Sequence, residues 1–208
     1  MARLRVPPGR TGRLWLRQRI ALADRGVSLL ERKLRILRGE QRRLRLLADG
    51  TEREWVRRAA EARRWALRSG LAGGQRALRL AAPHTAADAA VTWTTVMGVS
   101  YPISADCALP GPDGDSVIAT AALTPAIEAH RTATLAAVRH AAARAALRIV
   151  DREVETTRVR ERALRKHWLP RLRAALAQTE LELAEAERAE SIRLKLATRT
   201  PRNRGDRP

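Results

Sequence analysis

Phenylalanine is absent from this chain of 208 residues, and all aromatics together make up only 3% of it. A compact globular core normally draws on several large aromatic side chains, each of which buries much area. A chain without them must pack through aliphatic seams. Cysteine occurs once, at Cys107, so no intrachain disulfide is possible; the ordinary role of such a residue is a small, partly buried thiol. The four histidines (His84, His130, His140 and His167) are scattered. No two stand four residues apart, HExxH is missing, and there is no Cys/His cluster, so no metal site is expected. No apolar run approaches the ~18 residues that a membrane span needs.

Catalytic patterns are missing too. GLAGGQRAL, Gly70 to Leu78, has glycines but not the GK[ST] ending of a phosphate-binding loop, and is better read as a helix break. No Ser/His/Asp grouping and no paired carboxylates stand out. The glutamates at 180–190 read as a solvated or ion-paired helix face. The expectation is therefore no active site, no cofactor and no bound nucleotide on this chain.

What is present is charge. Charged residues make up 30% of the chain, and the net charge is +19. Almost all of the positive charge is Arg; the lysines are Lys33, Lys166 and Lys195. Residues 1–80 hold 22 basic and 7 acidic residues (net +15), residues 81–120 hold four Asp and no Lys or Arg (net −4), and residues 121–208 hold 19 basic and 11 acidic (net +8). The start, MARLRVPPGRTGRLWLRQRI, is Arg-rich and acid-poor like a transit peptide. A secretory signal is excluded by the lack of an apolar stretch, and the periodic pattern begins at Leu16, so an ordered N-terminus is expected.

The first segment is patterned as a long helix. Leu16, Ile20, Ala23, Val27, Leu30, Leu34, Leu37, Gln41, Leu44 and Ala48 alternate steps of four and three. A stripe that keeps this 3.5-residue period over more than four heptads implies a left-handed coiled coil. Pro7-Pro8-Gly9 sets the start, Thr11 is a candidate N-cap, and Asp49-Gly50 is a weak point. Beyond it the seam continues through Trp55, Ala59, Ala62 and Ala66, softens at Gly70, Gly73 and Gly74, and closes at Pro83. Gln41 either sets register between helices or lies at the solvated edge of the seam.

The middle segment changes character. VTWTTVMGVSYPIS, Val91 to Ser104, is rich in β-branched residues; Val91, Trp93, Thr95, Met97, Val99, Tyr101 and Ile103 share one face of an extended strand. LPGPDGDS, Leu109 to Ser116, is a dense turn signal, and SVIATAAL after it is either a returning strand or the next helix's first turn. Helix resumes at Thr124-Pro125, with Thr as N-cap and Pro at the first helical position. Leu169, Leu172, Leu176, Thr179, Leu183 and Ala186 again step by three and four, with Pro170 expected to bend the helix.

Two seams of the same period, separated by one knob, close most simply on each other. The expected fold is all-α: a long antiparallel two-helix coiled coil, a helical hairpin, with a small β-hairpin or irregular knob between its helices. Residues 1–82 form the first long helix, 83–122 the knob, 123–198 the second long helix, and 199–208 a disordered tail. A parallel homodimeric coiled coil is the alternative. The seam contacts are assigned to Leu16, Ile20, Val27, Leu30, Leu34, Leu37 and Leu44 on one helix, and to Leu169, Leu172, Leu176 and Leu183 on the other.

Three stretches carry a family resemblance. VPPGRTGRLWLRQRIALADRGVSLLERKLRIL resembles the opening of the D subunit of V-type and A-type rotary ATPases, through Gly26, Leu29, Leu30, Arg32 or Lys33, and Leu37. VMGVSYP is similar to that family's Met-Gly-Val…Pro segment. The C-terminal stretch matches its second signature at Thr157-Arg158, Ala163-Leu164, Leu169-Pro170-Arg171-Leu172, Thr179, Leu183, Glu185, Glu187-Arg188 and Arg193-Leu194-Lys195. Arg162 and Arg165 depart from it, standing where the family usually has Asn and Glu.

The resemblance implies a non-catalytic central-stalk rotor component that carries torque between a hexamer of A and B subunits and a membrane ring. Its terminal helices would sit inside the hexamer, with Arg10, Arg13, Arg188, Arg193 and Lys195 as bearing contacts. The knob and lower coiled coil would bind the F subunit and the C (or d) subunit. The location would be the cytoplasmic side of the cell membrane, reached only through the complex, and ATP would be bound by the A and B subunits. The rival is a basic coiled coil that binds nucleic acid or another polyanion without specificity, since a chain of pI near 11.7 attracts polyanions in low salt. A membrane-surface helix fits less well, because its apolar face should be broad and aromatic.

Overall fold

The computed structural model describes residues 5–80, 85–111 and 120–199. Heptad patterning in the first segment yields α1, Gly9–Leu80. The knob is a hairpin of β1, Asp88–Val96, and β2, Val99–Ala108. The second long helical stretch runs as α2, Leu123–Ala163, a π-turn, Leu164–Trp168, and α3, Leu169–Arg199. The fold is thus two long helical stretches around a small antiparallel β-hairpin. Pro83, the residues Pro112 to Ala119 and the tail from Thr200 fall outside the described residues.

Helix boundaries differ in detail from those expected. Helix α1 begins at Gly9, whose φ is +74°, so Thr11 lies in the first turn and not at the cap. A Cβ at Gly12 would lie 1.9 Å from the Pro7 carbonyl oxygen. Only glycine lets the preceding chain come so close. Asp49-Gly50 is helical throughout, whereas Gly74 leaves helical geometry at φ +66°, a conformation that favours glycine. Helix α2 starts at Leu123, whose N–H donates to the Thr120 carbonyl, so Pro125 falls within the first turn, where its missing N–H costs nothing.

The chain packs as two units: residues 1–32 with 158–208, and residues 33–157. In the second unit the helices run antiparallel. Leu34, Leu37 and Leu44 of α1 meet Ala146, Val150 and Val154 of α2, and Val99 and Tyr101 of the hairpin complete the cluster. Further along, Ala62 packs on Ala129 and Ala133 beside Trp65. The buried face of α2 is mostly alanine (Ala126, Ala129, Ala133, Ala136, Ala143 and Ala146). Small side chains there let the two backbones approach closely. Gln41 is half-buried and donates to Asp151 Oδ1 at 2.7 Å, and Trp55 stacks on His140 with centroids 5.4 Å apart.

The strand pattern is where the sequence expectation needs correcting. The chain reverses inside it, at Met97-Gly98; most of the Leu109–Ser116 turn signal lies outside the described residues. Both turn residues have positive φ, +52° and +77°, as the tight two-residue hairpin loop demands. Across that loop Val96 pairs with Val99, Thr95 with Ser100 and Thr94 with Tyr101. A two-residue turn therefore changes the face: Trp93 and Thr95 lie opposite Pro102 and Ser100, while Val99 and Tyr101 turn into the core. The register shifts at Thr92/Trp93, leaving Ile103 as the extra residue of a bulge beside Pro102. A bulge is one of the few places where a strand tolerates proline.

One polar cluster ties the hairpin to α1. The Tyr101 ring is buried, and its hydroxyl donates to Glu40 Oε1 at 2.7 Å. Arg43 donates to the same carboxylate from Nε at 3.0 Å. The Arg43 hydrogen bond is the main cause that holds the Glu40 carboxyl below the usual range; burial opposes it and the Tyr101 hydroxyl adds to it. Burial first, and then Glu40, pushes the Tyr101 phenol up.

A depressed carboxyl stabilises the fold above its unfolded value and loses that contribution as pH falls through its folded value. Tyr101→Phe should cost about 1–2 kcal/mol near neutral pH, and the cost should shrink in acid as pH falls through the lowered folded-state value of Glu40 and its carboxylate protonates; urea titrations along a descending pH series measure it, and a pH-independent cost would refute the link. Met97 is a non-glycine residue held at positive φ, which costs about 1–2 kcal/mol. Met97→Asn should raise the hairpin unit's stability by about 0.5–1 kcal/mol, read as a higher urea midpoint; an unchanged or lower midpoint would show that the methionine side chain contributes more than its strain.

Candidate functional site

The unit of residues 1–32 and 158–208 is a two-helix seam bordered by charge. Its apolar line is Leu16, Ala23 and Val27 of α1 against Leu169 and Leu172 of α3, with Ile20, Leu164, Ala175 and Leu176 partly buried around them. Leu16 and Leu172 are fully buried. Truncating either to Ala falls in the class of core changes that cost about 2–5 kcal/mol. Leu30 and Leu183 are half-buried. Ala186 and all described side chains beyond it are exposed, including Ile192, Leu194 and Leu196. In the other unit Leu34, Leu37 and Leu44 are buried.

The π-turn explains how Pro170 fits. Leu169 donates its N–H to the Leu164 carbonyl, five residues back. The wider turn sits immediately before the proline, where a regular helix would bring the ring against a carbonyl four residues back. Seam positions consequently step by five from Leu164 to Leu169, then resume at Leu172 and Leu176.

Four ion pairs cross this seam along one edge. Arg10 Nη2 meets Glu187 Oε1 at 3.0 Å, Arg17 Nη2 meets Glu180 Oε1 at 2.8 Å, Arg173 Nη2 meets Asp24 Oδ1 at 3.3 Å, and Arg165 Nη1 meets Glu31 Oε1 at 2.6 Å. Arg165 also contacts Glu161 at 2.7 Å. One of the two departures from the family pattern is thereby an engaged residue, while Arg162 is exposed. In the other unit Lys33 pairs with Glu153 at 2.6 Å in a more buried setting.

The five expected bearing residues do not form one cluster. Arg10 is committed to Glu187, and Arg13 is half-buried on α1. Arg193 lies 3.9 Å from Glu190 on its own helix. Arg188 and Lys195 are exposed and make no ion pair among the described residues. All three C-terminal cations lie on the part of α3 whose side chains face solvent.

Two features escaped the sequence reading. One is the ion-pair edge, legible as charges seven apart at 10, 17, 24 and 31. The other is a second apolar line on α1: Trp15, Leu22, Leu29 and Ile36 also recur every seven residues, and Leu22 and Leu29 are among the most exposed leucines of the helix. The outer face is thus not purely charged. Among the described residues no group of His, Cys, Asp and Glu is placed to hold a metal ion, and no helix is long and apolar enough to cross a membrane.

A family model for the D subunit of ATP synthase matches residues 14–199. A search of curated proteins gives no match. Gly26, part of the family-like opening, is not required by space: a Cβ there would meet Leu164 Cδ1 at 3.7 Å, an ordinary contact. Gly26→Ala should raise stability by about 0.5–1 kcal/mol through helix propensity, seen as a higher melting temperature; a lower one would mean that the close approach to Leu164 matters more.

Proposed function

This chain belongs to the family of ATP synthase D subunits, and on that premise we propose that it is the central-stalk shaft of a V/A-type proton- or sodium-translocating ATPase or ATP synthase. The observation that carries the proposal is the extent of the family match, which takes in both long helical stretches and the hairpin between them. The shaft transmits torque and performs no chemistry. Its terminal helices turn inside the hexamer of A and B subunits, which bind the nucleotide. The hairpin and its neighbouring helices engage the F subunit and the C (or d) subunit. The chain works on the cytoplasmic side of the membrane, attached through the complex.

Physical chemistry supports this role in two ways. A shaft must resist twisting, and side chains interlocked as Leu16, Val27, Leu169 and Leu172 are resist sliding because close-packed interiors do not deform continuously. It must also turn in its bearing. Exposed arginines such as Arg188 and Arg193 keep the outer surface hydrated, and Arg binds acidic loops by charge that solvent and salt weaken.

A tagged chain recovered from gently solubilised native membranes should bring with it two large nucleotide-binding subunits and magnesium-dependent ATPase activity. Recovery of nucleic acid alone, released at high salt, would refute the shaft and leave the polyanion-binding coiled coil. Within the assembled complex, reversing charge at Arg188, Arg193 and Lys195 should lower ion pumping per ATP hydrolysed while the subunits still co-purify; unchanged pumping per ATP would exclude these residues as bearing contacts.

A further inference from the structure

The ion pairs along the seam of the 1–32 and 158–208 unit have an order that the shaft role does not require. On α1 the charged positions are 10, 17, 24 and 31, one heptad apart, and their signs run plus, plus, minus, minus. On the opposing helix the partners are Glu187, Glu180, Arg173 and Arg165, with signs minus, minus, plus, plus. These partners step by seven, seven and then eight. The longer step spans the π-turn Leu164–Trp168, which carries one residue more per turn than an α-helix. A continuous α-helix would put Lys166 opposite Glu31; the π-turn puts Arg165 there, so the rung is a cation in either geometry.

We infer that this sign-ordered ladder favours the observed axial register of the two helices and disfavours registers one heptad away. The apolar seam by itself discriminates weakly, because Leu, Ile, Val and Ala recur every 3.5 residues and a slide of one heptad brings apolar residues back together. Charge order breaks that degeneracy. Sliding so that Arg17 faces Glu187 puts Asp24 against Glu180. Sliding the other way, so that Arg10 faces Glu180, puts Arg17 against Arg173. Each slide loses a rung and creates a like-charge contact. Exposed pairs such as these contribute little net stability, yet repulsion in wrong pairings is how coiled coils select register.

The order also predicts which change undoes it. Asp24→Arg opposes Arg173 in the native register. In the register where Arg17 faces Glu187, the same new arginine meets Glu180 and Glu31 meets Arg173, which leaves three attractive rungs there against the one like-charge contact of Arg38 with Arg165. One heptad of slide moves the helices by about 10 Å, more than enough to separate two cross-linking positions.

The test uses the full chain with Cys107→Ser and paired cysteines joined by a short bis-maleimide. Arg10→Cys with Glu187→Cys reports the native register; Arg10→Cys with Leu194→Cys reports the slid one. Adding Asp24→Arg should raise the slid-to-native yield ratio by about threefold or more, the size that one or two exposed charge pairs support. Helix content by circular dichroism should be unchanged, since Asp24 and Arg173 are both largely exposed. Adding Arg173→Asp to Asp24→Arg should restore the native ratio. The swapped pair attracts again in the native register, whereas in the slid one Glu31 would face the new carboxylate at position 173 and be repelled. An unchanged ratio in Asp24→Arg, or a failure of the double change to restore the native ratio, would overturn the proposal and leave the ion pairs as incidental surface contacts.

Discussion

A narrow apolar stripe on a helix must be covered along its whole length, and most of this structure follows from that requirement. Each heptad of α1 presents two seam residues, and leaving a leucine in water forfeits about 1.5–3 kcal/mol. The chain answers with its own later residues. In the unit of residues 1–32 and 158–208, the cover is leucine from α3; in the unit of residues 33–157, it is alanine and valine from α2, with Val99 and Tyr101 of the hairpin filling in beside Leu34, Leu37 and Leu44. This is why a chain without Phe has a core at all. Interlocked aliphatic rows bury area piecemeal, heptad by heptad, and need no central aromatic cluster.

Covering the stripe does not say which residue faces which. Polar groups at the seam's edges supply that information. Gln41 meets Asp151, Lys33 meets Glu153, and Tyr101 meets Glu40, all within the hairpin-bearing unit. The other unit uses exposed carboxylate–guanidinium pairs. Arginine suits both settings because it stays charged and presents a planar set of donors. The high arginine content is therefore partly structural: Arg10, Arg17, Arg165 and Arg173 hold the pair in register, and Arg43 orients the carboxylate that anchors Tyr101.

The proposed shaft role asks for the same properties. A rotor component needs no reacting groups. It needs helices that do not slip along each other and an outer surface that partners can grip and release. The exposed end of α3, with Ile192, Leu194 and Leu196 among its arginines and Lys195, and the exposed line of Leu22 and Leu29 on α1, give that surface apolar as well as charged character.

Much of this was legible in the residues alone. The 3.5-residue period of Leu16 through Ala48 is a local property of the chain, and so it announced α1 and its buried face; the second seam and the knob between them implied an antiparallel closure. The family resemblance lay in the same local strings. What the residues left open were matters of phase. The strand pattern from Val91 to Ile103 reads as one face until a two-residue turn at Met97-Gly98 inverts it, and only strand pairing reveals where the turn falls. Pro170 announced a disturbance, but whether the helix would bend, break or widen into a π-turn depended on which seam residues had to stay aligned on either side. The charges at 10, 17, 24 and 31 are evenly spaced in the sequence, yet their partners are set by helices that meet from more than 130 residues away. Periodicity is written in neighbours along the chain, whereas register is decided between segments, and so the tertiary structure had to supply it.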